Sequence, residues 1–238
     1  MKESLQPLHF VIVFVQNYCK GCENMKQSKK FFLTGGCLIF AFAVWTVLIQ
    51  IIDVQSVGVN GTSVGFATFN TWFHSLTGVN MLLYDITDWL GLVPIFICMF
   101  FGALGLSQLI KRKSLKKVDF SLIISGVYYV IVILCYLIFE MHPVNYRPIL
   151  INGFAEASYP SSTTLLVLCV MPTLVFQAKI RVKKQAVERL ISVSAVLFSV
   201  FMVIGRLISG VHWATDIAGS VFLSAGLFYL YKAMNLTR

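Results

Sequence analysis

The sequence GRLISGVHWATD, at positions 205–216, decides how the rest of the chain is interpreted. It joins two long apolar runs and carries Arg, His and Asp in a chain in which only 12% of the residues are charged. If the end of this stretch is helical, His212 and Asp216 share one helix face, and the carboxylate can hold one imidazole nitrogen and leave the other free. Arg206 lies across a turn that Gly210 permits, and a guanidinium suits phosphate oxygens. The stretch predicts a site that holds a phosphoryl group and attacks it with a histidine; the alternative is a structural ion pair at a helix end.

The composition outside this stretch is that of a membrane protein. The chain has 238 residues, is 58% hydrophobic and has a mean hydropathy of +0.81. This length suffices for one membrane domain of about six helices of about 20 residues each. All but two of the 19 Lys and Arg residues fall into four groups, at 2–30, 111–117, 179–189 and 232–238. Such clustering is typical of charge that sets membrane topology, so the net charge of +9 does not indicate a nucleic-acid partner.

The pattern predicts an all-α fold, a six-span transmembrane helical bundle. The expected spans are 31–52, 89–110, 118–139, 163–178, 190–205 and 213–231. With the four basic groups in the cytoplasm, segments 53–88, 140–162 and 206–212 all lie on the outer face. The first of these lacks Lys and Arg and is rich in Gly, Asn, Thr and aromatic residues, which indicates a short interfacial helix in the first outer loop.

The domain organisation expected from these spans is simple. Residues 1–30 form a cytoplasmic N-terminal segment, 31–232 the membrane domain and 233–238 a cytoplasmic tail. Four of the six cysteines lie in apolar runs and are expected in the core. Cys19 and Cys22 form a lone CxxC without a second pair, so neither a metal site nor a cofactor is expected.

Two further outer segments carry polar residues suited to an anion. Arg147 precedes Pro148, which disfavours helix there, and it is interpreted as a second phosphate clamp or as an interface anchor. Ser161 and Ser162 follow Pro160 at the start of the fourth span. Hydroxyls and free N–H groups at a helix N-terminus bind phosphate, although a plain N-cap has the same sequence.

Together, the three segments resemble the type 2 phosphatidic acid phosphatase and haloperoxidase superfamily, over roughly residues 31–232. Its third motif, Ser-Arg-x5-His-x3-Asp, is matched by Arg206, His212 and Asp216, with Gly205 in place of the Ser. Two departures affect the other motifs. In Lys-x6-Arg-Pro, the Arg-Pro pair is Arg147-Pro148, but Glu140 stands at the Lys position. In Pro-Ser-Gly-His, the Pro-Ser pair is Pro160-Ser161, but Ser162 and Thr163 replace Gly and His.

The resemblance implies metal-independent phosphatase chemistry in a six-helix core. His212 would form a phospho-histidine and Asp216 would orient it. Arg147, Arg206 and Ser161, with the neighbouring Ser162, would bind the phosphate oxygens. In this family, the His of the second motif protonates the leaving group, which Thr163 cannot do; the possible substitute acids are Glu156, Glu140 and His74.

Three functions remain open at this point. The first is a membrane lipid phosphate phosphatase that acts on the outer face, on a polyprenyl diphosphate such as undecaprenyl diphosphate. The second is a catalytically degenerate protein that binds or transports lipid phosphates in the bilayer. The third is a phosphotransferase that uses the same histidine. The expected location is a bacterial plasma membrane, with both termini cytoplasmic and the site facing outward.

Overall fold

The structure, a computed structural model, describes the backbone of residues 6–237 and the side chains of residues 23–237. This part of the chain consists of eight α-helices, two short 3-10 turns and irregular connections. The helices are α1 Gln6–Ile51, α2 Ala67–Thr77, α3 Met81–Leu90, α4 Leu92–Arg112, α5 Phe120–Met141, α6 Ser162–Arg181, α7 Gln185–Ile208 and α8 Ala214–Leu236. The Cys19 and Cys22 side chains lie outside the described residues.

Six stretches are long and apolar enough to cross a membrane, which confirms the all-α, six-span prediction. They are Glu23–Ile51, Met81–Arg112, Phe120–Met141, Ser162–Arg181, Gln185–Ile208 and Ala214–Leu236. The short helix predicted in the first outer loop is present as α2.

The second of these stretches begins eight residues earlier than the sequence predicted, because α3 leads almost directly into α4. The two helices are separated only at Gly91, whose backbone is itself helical. Pro94 explains the interruption: it has no N–H to donate to the Leu90 carbonyl, and its ring crowds that carbonyl. The extra helix, α3, brings polar side chains to the end of the bundle where the site lies.

Helices α6 and α8 form the centre of the bundle. Half of the most apolar stretch of each (50%) is buried, against a third or less in the other spanning helices. Small residues allow this close packing: Gly226 of α8 lies against Ile39 of α1, and Gly35 of α1 against Leu230 of α8. Because α8 is central, the residues at its N-terminus are buried beneath the connections at that end.

Three connections meet at this end of the bundle. The Asn80 N–H donates to the Ser209 carbonyl at 2.9 Å, which joins the segment between α2 and α3 to the α7–α8 loop. Residues 142–161, between α5 and α6, form an irregular hairpin in which Tyr146 pairs with Ala157. These are the three segments in which the sequence placed the candidate chemistry.

A compact ionic cluster at the opposite end joins α4, α5 and α6. Asp119 lies 3.1 Å from Arg112 and 2.9 Å from Arg181, and it accepts a hydrogen bond from Gln108 at 2.9 Å. The Gln108 and Arg181 hydrogen bonds lower the pKa of Asp119 to about 2. This cluster includes two of the basic residues that the sequence assigned to topology alone.

Candidate active site

The loop between α7 and α8 holds the candidate nucleophile in a fixed position. Gly210 has a φ of 70°, and a side chain there would collide with the backbone of Gly78. The Ser209 hydroxyl donates to the Arg206 carbonyl at 2.9 Å. His74 of α2 donates from Nε2 to the Gly210 carbonyl at 3.0 Å. These contacts fix Ser209 and Gly210, the two loop residues that lie shortly before His212.

His212 is buried with one ring nitrogen occupied and the other free. Its Nδ1 lies 3.1 Å from the Ser158 carbonyl oxygen. Because a carbonyl only accepts, Nδ1 carries the proton and Nε2 keeps its lone pair. Nε2 is buried and has no hydrogen-bond partner. This is the tautomer that a nucleophilic imidazole requires.

Asp216 does not hold the imidazole in the way that the sequence suggested. Its Oδ2 is 3.9 Å from His212 Nδ1, beyond hydrogen-bond range. The carboxylate accepts instead from the Trp213 N–H at 3.0 Å and from Asn145 Nδ2 at 3.1 Å. The expectation failed because α8 begins only at Ala214, so His212 lies outside the helix and does not share a helical face with Asp216. Asp216 caps α8 and fixes the loop.

Burial and two arginines keep His212 neutral. The pKa of His212 is well below its usual value, first because the ring is buried away from water and then because Arg147 and Arg206 repel a second positive charge. The neutral imidazole is consequently the prevalent form at physiological pH.

The two arginines come from different parts of the chain and flank one aromatic ring. The guanidinium carbon of Arg206 lies 4.9 Å from the Tyr84 ring centroid, and that of Arg147 lies 5.7 Å from it. Each arginine also has a carboxylate neighbour: Asp88 lies 3.5 Å from Arg206 Nη2, and Glu156 lies 3.1 Å from Arg147 Nε. Both carboxylates are partly exposed, whereas both guanidiniums are buried.

Four buried nitrogens at this place have no hydrogen-bond partner, and one of them, Arg147 Nε, faces Glu156 as an ion pair. The other three have neither kind of partner: Arg147 Nη1, Arg206 Nε and His212 Nε2. Buried donors are almost always paired in folded proteins, and an unpaired donor on a charged group is expensive. Two guanidinium donors beside a free imidazole lone pair suit an anion with several oxygens, such as a phosphoryl group.

The two serines have different surroundings. Ser161 is the N-cap residue of α6 and is fully buried; its hydroxyl donates to Thr164 Oγ1 at 3.1 Å, and its N–H points to the Asp216 carbonyl at 3.4 Å. Ser162 is the first residue of α6 and lines a neighbouring cavity together with Thr163. Phosphate binding by either serine stays a prediction.

That cavity is apolar and has a volume of about 500 Å³. Its polar residues are Asp88, Ser162 and Thr163, and the side chains of α4, α5 and α6 form the rest, among them Ile95, Val132 and Leu166. Because Asp88 also contacts Arg206, the cavity adjoins the arginine pair. An alkyl chain in the cavity could place its polar end beside Asp88, which contacts Arg206.

The three candidate substitute acids lie at different places around the site. Glu156 contacts Arg147. Glu140 is exposed and borders a small depression together with Pro160 and Ser162. His74 donates a hydrogen bond to the Gly210 carbonyl, and its ring centroid lies 5.7 Å from that of Trp213. It therefore contacts the α7–α8 loop on both sides of His212.

Sequence reasoning missed the contribution of α3. Tyr84, Thr87 and Asp88 all approach Arg206; the Thr87 hydroxyl is 3.4 Å from Nη1. Their spacing of three and four residues is the signal of one polar helix face, and it lies in a segment without any Lys or Arg. Asn145 and the Ser158 carbonyl were missed because no sequence pattern marks them.

Comparison with known proteins places these observations in one family. The model of the PAP2 superfamily matches residues 115–238, just over half of the chain. Among solved structures, a transmembrane PAP2-type phosphatidylglycerolphosphate phosphatase from Bacillus subtilis has a similar fold, with a TM-score of 0.56 over 85% of this chain and 96% of the other, at 18% sequence identity. No curated protein sequence matches significantly.

Proposed function

This chain belongs to the PAP2 superfamily, and on that premise we propose that it is a membrane lipid phosphatase that prefers a polyprenyl diphosphate. The observation that carries the proposal is the group of three buried, unpartnered nitrogens on Arg147, Arg206 and His212. The fold shared with a membrane phosphatase is consistent with it.

The first chemical step follows from the His212 geometry. The Nε2 lone pair attacks phosphorus, a P–Nε2 bond forms, and the P–O bond to the leaving group breaks with its electron pair going to that oxygen. Arg147 and Arg206 neutralise the charge on the other oxygens, and the Ser158 carbonyl accepts the hydrogen bond from Nδ1–H, which keeps its proton as the ring becomes positive. Both the nucleophile and the phosphate ligands are side chains, so the proposed reaction needs no metal ion.

The neighbouring cavity supports a lipid substrate. Apart from Asp88, Ser162 and Thr163 at one side, its lining is apolar and aromatic. A hydrocarbon chain that moves from the bilayer into this lining stays in an apolar environment, so the move costs it no contact with water. Because the cavity lies among spanning helices, a substrate can enter it from the bilayer.

The leaving group favours a diphosphate. Loss of a general acid costs about 10²–10⁴-fold in rate. A monoester such as phosphatidic acid expels an alkoxide, whose conjugate acid is about as weak as water, with a pKa of ~15.7. A diphosphate expels a phosphate whose second pKa is about 6, so it needs little protonation. Because Thr163 stands at the position of the family's acid, we expect a smaller loss of rate with a diphosphate than with a monoester.

The orientation of the protein in the membrane is part of the same proposal. The basic connections between α4 and α5 and between α6 and α7 lie at the end opposite the site, which favours a cytoplasmic location for that end and an outward-facing site in a bacterial plasma membrane.

The test is phosphate release from undecaprenyl diphosphate and from phosphatidic acid by the protein purified in detergent, with chelator in every sample. We expect release from the diphosphate to be faster and to disappear in His212→Ala. Equal or faster turnover of phosphatidic acid contradicts the leaving-group argument. A folded wild-type protein that binds lipid phosphate without releasing it identifies a non-catalytic binder, and turnover only after an acceptor is added identifies a phosphotransferase.

A further inference from the structure

The proposed reaction leaves one step without a catalyst. After the first step, phospho-His212 must be hydrolysed, and the attacking water needs a group that takes its proton. The hydroxyl of Thr163, where the family has a histidine, is a poor base. We propose that the Asp88 carboxylate of α3 is the general base for this second step; the inference rests on the proposed phospho-histidine route.

Asp88 is positioned at the junction of the two parts of the site. Its Oδ1 lies 3.5 Å from Nη2 of Arg206, which is one of the two phosphate ligands. It also lines the apolar cavity together with Thr163. A carboxylate there is beside the phosphoryl group and on the side from which the leaving group departs, and this is the side that a water molecule must enter.

The environment of Asp88 suits a base that exchanges protons with water. Its side chain is 56% exposed, which leaves room for a water molecule beside the carboxylate. Arg206 Nη2, 3.5 Å from Oδ1, holds the carboxylate beside the site. Among the residues that line the cavity, Asp88 is the one acidic side chain.

Glu156 provides a natural comparison within the same site. It is the carboxylate partner of the other arginine, at 3.1 Å from Arg147 Nε, and its side chain is 39% exposed. It does not line the cavity. Both carboxylates partly neutralise an arginine, but only Asp88 is placed where the leaving group and the water exchange.

Hydrolysis of phospho-His212 regenerates the free histidine. A water oxygen attacks phosphorus and forms a P–O bond while one water proton passes to Asp88. The P–Nε2 bond breaks, and its electron pair returns to Nε2 of His212. Inorganic phosphate leaves, and Asp88 releases its proton to solvent through its exposed side. The enzyme returns to its starting state with one water consumed.

The experiment compares Asp88→Asn with Glu156→Gln in rapid-quench assays of the full-length protein in detergent, with undecaprenyl diphosphate. In Asp88→Asn we expect the first product to appear in a burst close to one equivalent per enzyme, followed by turnover slowed about 10²–10⁴-fold. An acid-labile phosphoenzyme should accumulate, and its amplitude also shows that the variant is folded. Glu156→Gln should accumulate no phosphoenzyme.

Thr163→His in the Asp88→Asn background gives a second readout. An imidazole at this position lines the same cavity, so it should restore turnover and remove the trapped phosphoenzyme. Turnover of Asp88→Asn without phosphoenzyme, or equal slowing of the burst and of later turnover, overturns the inference while the proposed function stands. Absence of His212-dependent release from the wild type overturns both.

Discussion

At the scale of single residues, the site depends on which groups share hydrogen bonds and which are left free. His212 gives its proton to the Ser158 carbonyl and keeps Nε2 unpaired. The two carboxylate oxygens of Asp216 accept hydrogen bonds from Trp213 and Asn145. The aspartate therefore acts on His212, the proposed nucleophile, through the loop that carries it, whereas the Ser158 carbonyl holds the ring itself.

The first prediction at this scale concerns the charge of His212. Its pKa is lowered by burial and by the two arginines, so the neutral form should persist as the pH falls well below 6.5. An NMR titration of ¹³C-labelled histidines should show one ring that stays neutral at pH 6, assigned by its loss in His212→Gln. A midpoint near 6.5 for that resonance contradicts the burial argument.

At the scale of elements, the short helices between α1 and α4 are part of the site. Helix α2 holds the nucleophile loop through His74, and Asn70 of α2 donates to the Thr215 hydroxyl at 2.9 Å. Helix α3 supplies Tyr84 and Asp88 to the arginines. The predicted interfacial segment thus contributes to positioning as well as to membrane contact.

The ionic cluster that joins α4, α5 and α6 yields a stability prediction. The pKa of Asp119 is depressed to about 2, so its stabilising effect is present above the unfolded value of 3.8 and is lost as the pH falls toward 2. Because the cluster is partly exposed, Asp119→Asn should cost at most about 1 kcal/mol at pH 7. Thermal unfolding in detergent should show a gap from wild type at neutral pH that closes between pH 4 and 2. The exposed Asp85→Asn is the control; a gap independent of pH refutes the ionic explanation.

At the scale of the whole molecule, α1 packs closely against α8, the helix that begins next to the site. A side chain on Gly226 would approach the Ile39 side chain to 2.8 Å and its backbone nitrogen to 3.1 Å. The backbone cannot yield without separating the two helices. The packing of these two helices thus depends on the small size of Gly226.

Overpacking this contact should destabilise the bundle. We expect Gly226→Val to lower stability by about 1–3 kcal/mol, measured as a fall in the thermal midpoint in detergent. Gly102→Val is the matched control, because nothing lies within 4 Å of a Cβ added there. Equal midpoints for the two variants would show that the α1–α8 contact is not rigid.

The six spans follow from the sequence alone, because runs of apolar residues have few stable solutions in a bilayer. The sequence also predicted the family, since the spacing of Arg206, His212 and Asp216 is specific. It brought Arg147 into the candidate set because few basic residues lie outside the four clusters. Helix ends follow less directly from the pattern: the second span is predicted from 89, but the helix begins at Met81.

Which side chains contact one another in the site depends on the three-dimensional packing of the helices and their connections. Asn145 and Ser158 lie in the connection between α5 and α6, whereas Asp88 lies in α3. No local pattern indicates that these residues contact Asp216, His212 and Arg206. Periodicity reports which face of one helix is apolar, but a contact between distant residues depends on how the helices pack. The start of α8 at Ala214 is of the same kind: the turn at Gly210 fits against the Gly78 backbone, and this contact keeps His212 out of the helix.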